Sequence, residues 1–120
     1  NMEFLNGNWR VTAIDGKEIN DEEANIFIDI AELKVHGNTG CNILNGDFTV
    51  DMDRPNSISF ENMATTRMAC PPDNNYETDL LVALEEATTA HAVDSKTVEL
   101  LNSQKQVIMV LVRTTDTTAK

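Results

Sequence analysis

The sequence predicts a mainly β domain of the α+β type: an antiparallel, barrel-like or half-barrel sheet of about seven or eight short strands, with one helix packed on it. Three observations carry this expectation. Apolar residues alternate with polar ones over short runs, turn residues punctuate those runs at regular intervals, and a single stretch has helical periodicity. No βαβ rhythm is present, so the helix is left to cover an open end or edge of a curled sheet.

At 120 residues the chain suits one hydrophobic core, and a single domain over residues 1–120 is expected, with its core at about 4–113 and a frayed tail at 114–120. An apolar share of 41% with 24% charged residues belongs to a globular protein rather than a disordered one. Aromatics are only 5%. The core must then rest on Ile, Leu, Val and Met, with Trp9, Phe27, Phe48 and Phe60 as its bulky members.

Trp9 to Ile14 alternates and stops at the turn pair Asp15-Gly16, which makes a first strand with Trp9, Val11 and Ala13 on one face. Residues 17–23 are polar and read as a connection. Ile26, Ile28 and Ile30 fall at period two, and Leu33-Lys34-Val35-His36 resumes the alternation, giving two short strands or one bent one. Asn45-Gly46 tolerates positive φ at both residues and predicts a tight hairpin turn between Ile43-Leu44 and Phe48-Thr49-Val50. Arg54-Pro55-Asn56 marks another turn, after which Ser57 to Glu61 alternates and should send Ile58 and Phe60 inward.

Pro71-Pro72 ends the extended chain, and Asn74 with Glu77 three places on fits an N-cap with its capping-box acceptor. The helix that follows sets Tyr76, Leu80, Leu84 and Ala87, flanked by Leu81 and Ala83, on one apolar stripe. Ala90 to Val93, Thr97 to Leu101 and Gln106 to Arg113 complete the strands, with turns at Asp94-Ser95 and Asn102-Ser103. The last strand is apolar on both faces, as for a strand covered on both sides.

Nine basic residues against twenty acidic ones leave a formal charge of -11. Such a surface repels a phosphate backbone and offers an anionic membrane no basic cluster, so nucleic acid is excluded as a partner. The longest apolar run, Val107 to Val112, falls far short of the ~20 residues of a membrane helix. Asn1-Met2-Glu3-Phe4 has neither a basic nor an apolar region of the signal-peptide kind.

The chain is organised around residues 37–72, which open with Gly37-Asn38-Thr39-Gly40-Cys41-Asn42 and close with Asn62-Met63-Ala64-Thr65-Thr66-Arg67-Met68-Ala69-Cys70. Both cysteines lie here, with a dense group of turn residues. Gly40-Cys41-Asn42, then Asn45-Gly46-Asp47-Phe48, then Met63 to Cys70 resemble the META domain, the family that includes the HslJ heat-shock proteins. Trp9 near the start and the helix just after the second cysteine add to the resemblance, which spans roughly residues 4–113. It implies a compact β-rich domain of the bacterial cell envelope, often behind a signal peptide or lipoprotein signal, linked to stress or antibiotic tolerance and lacking an agreed enzymatic activity. No lipidated cysteine stands at the start of this chain, so any lipid anchor would lie ahead of Asn1.

Cys41 and Cys70 are open to three readings: a disulfide, a redox-active pair, or two buried thiols. In an envelope protein, an even cysteine count around a turn-rich loop favours the disulfide, worth about 3.5 kcal/mol in the chain-entropy model. A thioredoxin-like C-x-x-C is absent. A zinc set of His36, His91, Cys41 and Cys70 matches no ligand spacing, and no nucleophile elbow or triad is evident, so no metal, cofactor or catalytic residue is expected. Gly40, Asn42 and Gly46 read as turn geometry. Met63, Ala64, Thr66, Arg67 and Met68 remain as motif residues, structural or binding. Arg67 is expected to tie the loop to Asp47, Glu61 or backbone carbonyls, the alternative being an anion- or peptide-binding loop.

The function expected is a non-enzymatic, monomeric domain of the periplasm or cell envelope, binding a protein partner or a small apolar ligand at the barrel mouth. A structural accessory module without a ligand is the alternative, and an uncharacterised enzyme the third. An enclosed apolar cavity would favour the ligand, whereas a filled interior beside a bare strand edge would favour a protein.

Overall fold

A computed structural model describes residues 2–74 and 76–114. After a 3-10 turn at Glu3–Leu5, the strands are β1 (Gly7–Ile14), β2 (Lys17–Glu18), β3 (Ala24–Asp29), β4 (Lys34–Thr39), β5 (Ile43–Val50) and β6 (Ile58–Thr65). The helix α1 (Glu77–Glu86) follows, then β7 (Thr89–Ala92), β8 (Thr97–Leu101) and β9 (Val107–Arg113). All pairings are antiparallel and form one curled half-barrel sheet in the order β6-β5-β4-β3-β1-β9-β8-β7, with β2 attached to β1. The expected mainly β architecture with one helix is what the chain adopts.

The two outer strands meet at one end only. Ser57 bridges Thr89, and the Ile58 and Ala90 amides donate to the Thr88 and Asn56 carbonyls. Elsewhere α1 packs against β6, β9 and β1 and inserts Leu80, Ala83 and Leu84 into the core. Trp9, Val11, Ile26, Ile28, Val35, Leu44, Phe48, Leu100 and Leu111 are buried with them in one continuous apolar cluster. At the start of the chain the Trp9 indole N–H donates to the Leu5 carbonyl at 2.8 Å, while Arg113 lies over the Trp9 ring and donates to the Phe4 and Asn6 carbonyls.

Local departures from the expected elements have physical causes. A bulge in β1 between Val11 and Ala13 inserts a residue, so Ile14 rather than Ala13 joins Trp9 and Val11 inside. Phe27 faces outward and stacks on His36, its cross-strand partner, leaving Ile26 and Ile28 to fill the core. Asn45-Gly46 is not a turn: it lies within β5, at a register shift against β6 between Asn45 and Asp47. A Cβ on Gly46 would strike the Met63 sulfur and come within 3.1 Å of the Glu61 carbonyl, so this glycine serves close strand approach at a bulge.

Strand β6 continues past the expected Ser57–Glu61 alternation as far as Thr65. In β9, Met109 and Leu111 are buried, but Val110 and Val112 stay half-exposed, so burial is mainly on one face. The helix begins at Glu77, and Tyr76 occupies the N-cap position without a side-chain cap, which displaces the expected Asn74 cap and Glu77 acceptor. Thr114 donates its amide to Asn8; the rest of the expected tail, residues 115–120, lies outside the described residues.

Candidate functional site: a polar knot behind the disulfide

The real β4–β5 turn sits at Gly40 to Asn42, with the Thr39 amide donating to the Asn42 carbonyl at 2.8 Å. Gly40 has φ +94°, and a Cβ there would run into Tyr76 Oη, Asp21 Oδ2 and Asn74 Nδ2. Only glycine suits both the left-handed backbone and the lack of space. Thr39 and Asn42 flank the turn as the buried polar residues of the described chain, at 0% and 2% exposure.

Burial of these groups is tolerable because they bond one another. Thr39 Oγ1 accepts the Asn42 and Cys41 amides at 2.9 and 3.2 Å and donates to Glu77 Oε2 at 2.5 Å. Asn42 Nδ2 donates to the same Glu77 oxygen at 2.8 Å and to the Met68 carbonyl at 3.2 Å. Asn42 Oδ1 accepts the Met68 amide at 2.7 Å and the Thr66 hydroxyl at 2.8 Å. The Thr66 hydroxyl in turn accepts the Ile43 amide at 3.0 Å. One side-chain amide thus holds both polar groups of Met68, as a neighbouring strand would, beyond the point where β6 ends.

The sulfurs close this knot. Cys41 and Cys70 are joined by a disulfide, with their Cα atoms 5.7 Å apart, so the bridge among the open readings is the one adopted. Both sulfurs lie near Asn42 Nδ2, at 3.7 and 3.6 Å, and Cys70 Sγ is 3.5 Å from Glu77 Oε1. Beside it, Tyr76 donates its hydroxyl to Asp21, and Asn74 Nδ2 reaches the Thr39 carbonyl at 3.5 Å. Burial first, then the bond to Asp21, raises the Tyr76 phenol well above its ordinary value.

Of the motif residues singled out in the sequence, Gly40, Cys41, Asn42, Thr66, Met68 and Cys70 converge here. Gly46, Met63 and Ala64 lie along β5 and β6. Among the described residues no bond ties Arg67 to Asp47, Glu61 or a backbone carbonyl: Arg67 is exposed, and Asp47 is bonded to Lys34 at 2.7 Å and to Asn62 at 2.8 Å. Those bonds, Lys34's first, hold the Asp47 carboxyl below its usual value. Thr39 and Glu77 are the members that sequence reasoning missed. The histidines stay apart from the sulfurs in their bonding, His36 with Asn45 and His91 with Glu99.

The knot carries an exposed apolar rim, Ile43 at 52% and Met68 at 58% exposure. It borders β6, which has β5 on one side and, among the described residues, no strand on the other apart from the contacts of Ser57 and Ile58 with Thr89 and Thr88 at its start. Two surface clefts are lined by polar residues: Asn8, Arg10, Glu23 and Asn25 contribute to one, and Glu18, Asp21, Asp73, Tyr76 and Asp79 to the other.

The family model described as "META domain" matches residues 2–115. No curated protein matches the chain significantly. Among solved structures, the fold is similar to that of a DUF4847 family protein from Bacteroides vulgatus, with 15% identity, TM-score 0.67, and coverage of 92% of this chain and 94% of that one. It is also similar to a protein from Burkholderia xenovorans, with 21% identity, TM-score 0.68, and coverage of 94% and 86%.

Proposed function

The chain belongs to the META domain family, and we propose that it is a non-enzymatic domain of the cell envelope that binds another protein along β6 and the Ile43–Met68 rim. The observation that carries this reading is the side of β6 that, beyond Ile58, pairs with no strand among the described residues, beside exposed apolar side chains and next to an interior occupied by its own side chains. An extended segment of a partner can add to such an edge through main-chain hydrogen bonds, while apolar side chains nearby provide selectivity. The charge of -11 makes two copies of this chain repel and favours a basic segment as the occupant. Asn62, with φ 55°, and Glu61 blunt the edge against self-pairing, which is how β proteins avoid indiscriminate association. The disulfide supports an oxidising compartment. No helix of the described residues is long and apolar enough to cross a membrane. A role in stress tolerance would follow from the identity of the partner.

The test is site-specific photo-crosslinking in envelope extract, with the probe at Met68 or at Met52. Met52 is 90% exposed but lies at the opposite end of the β5–β6 hairpin. Adducts to a defined protein from position 68 and not from 52 are expected, and they should disappear with Ile43→Asp. Equal labelling from both positions, or none, contradicts the reading.

A further inference from the structure

We propose that reduction of the Cys41–Cys70 bond converts the knot into a binding site for a zinc-class divalent cation, with the two thiolates and Glu77 as ligands. The ligand atoms already converge: both sulfurs and a Glu77 oxygen lie within 4.8 Å of one another. The roles of the two carboxylate oxygens are already divided. Oε2 accepts from Thr39 and Asn42, whereas Oε1 faces Cys70 Sγ at 3.5 Å, and a disulfide sulfur has no proton to give it. Two soft sulfurs with one oxygen suit zinc rather than magnesium or calcium, which take oxygen ligands, and a fourth position remains for water.

The geometry should survive reduction because the sulfur bridge does not position its own neighbours unaided. Asn42 holds Thr66 and Met68 by hydrogen bonds that do not involve sulfur. Thr39 and Asn42 hold Glu77 in the same way, as supporting residues orient the ligands of metal sites. Two thiolates on one zinc at ~2.3 Å each stand roughly 3.7 Å apart, a separation that side-chain rotation can supply from a Cα distance of 5.7 Å. Asn42 Nδ2, near both sulfurs, places partial positive charge beside the thiolates.

The chemistry balances with a dithiol as reductant. It gives two electrons and two protons, the S–S bond breaks, two S–H bonds form, and the reductant closes its own disulfide. The cation then displaces the two thiol protons to solvent. The site is therefore closed to metal while the bridge is intact.

Cobalt(II) added to the protein, before and after anaerobic reduction with a phosphine, reads the site directly. The reduced protein should take up one equivalent with thiolate-to-cobalt charge-transfer absorption, zinc should displace it, and the oxidised protein should show no such band. Glu77→Gln should weaken binding by at least about tenfold, and Cys41→Ser with Cys70→Ser should abolish the band. Circular dichroism accompanies each titration: if reduction loosens the fold, metal should restore it. A folded reduced protein without the band, a loosened one that metal does not restore, or an unchanged affinity in Glu77→Gln overturns the proposal.

Discussion

Strand β5 ends in two turns of similar chemistry and opposite fate. At its start, Gly40-Cys41-Asn42 is rich in turn residues and is sealed behind Glu77, Thr66 and Met68. At its far end, Asp51 to Asn56 has the same kind of composition but stands in water, where among the described residues Asp53 and Arg54 bond to Asp51 and Ser57 of the same connection. Side-chain partners distinguish them: among the described residues the polar side chains of the first turn are met by residues 24 to 38 places away, whereas the second turn has a distant partner for its backbone, the Ala90 amide on the Asn56 carbonyl. A polar turn becomes structural when other elements arrive to satisfy it, and stays a loop when they do not.

That contrast should appear in stability. The largest effect belongs to Cys41→Ser with Cys70→Ser, which frees a loop of 29 residues and should cost about 3.5 kcal/mol by loop entropy, read from urea unfolding. Asn42→Ala should follow at about 1 to 3 kcal/mol, because the Met68 amide and the Thr66 hydroxyl lose the buried Asn42 side chain as their acceptor in a part-buried setting. An Asn42→Ala variant as stable as the parent would mean the knot is ornamental. At the other end, Arg54→Ala should change stability by less than about 0.5 kcal/mol, since Arg54 meets Asp51 only at 3.9 Å with both side chains exposed.

A smaller, pH-dependent effect comes from Tyr76. Its phenol is raised in the folded state, so its contribution is fully present below the unfolded value of about 10 and is lost as pH climbs through the higher folded value. Tyr76 is the sole tyrosine, so the phenolate absorbance reads it alone. That absorbance should rise only above pH ~10 in the folded protein, at its normal place in urea, and Tyr76→Phe should flatten the alkaline loss of stability. Ionisation at the normal pH while folded would break the Asp21 contact out of this account.

How much of this was legible follows the range of the forces involved. Period-two burial is local, so Ile26-Ile28, Ile58-Phe60 and the Leu80-Leu84 stripe could be read directly. Turn propensity is local too, but a bulge uses the same residues, and only the approach of Met63 to Gly46 shows why Asn45-Gly46 stays in a strand. The motif residues Gly40, Asn42, Thr66, Met68 and the cysteines were visible as a group, and the disulfide followed from their family context. Their division of labour was not. Asn42 looked like a turn former and Glu77 like a capping partner, because nothing near either residue reveals a bond across 35 positions. Arg67 misled for the opposite reason: one arginine in a short polar segment of an acidic protein suggests a carboxylate partner, yet Lys34 already occupies Asp47.

Amide hydrogen exchange at Met68 and Arg54 tests the contrast most directly. Met68 N–H, bonded to a buried side chain at 2.7 Å, should exchange only through openings close to global unfolding. Arg54 N–H, bonded to Asp51 at 3.1 Å in an exposed turn, should exchange through local opening, orders of magnitude faster. Similar protection at the two sites would contradict the account, because the turn behind the disulfide would then be no more tightly held than the one in open solvent.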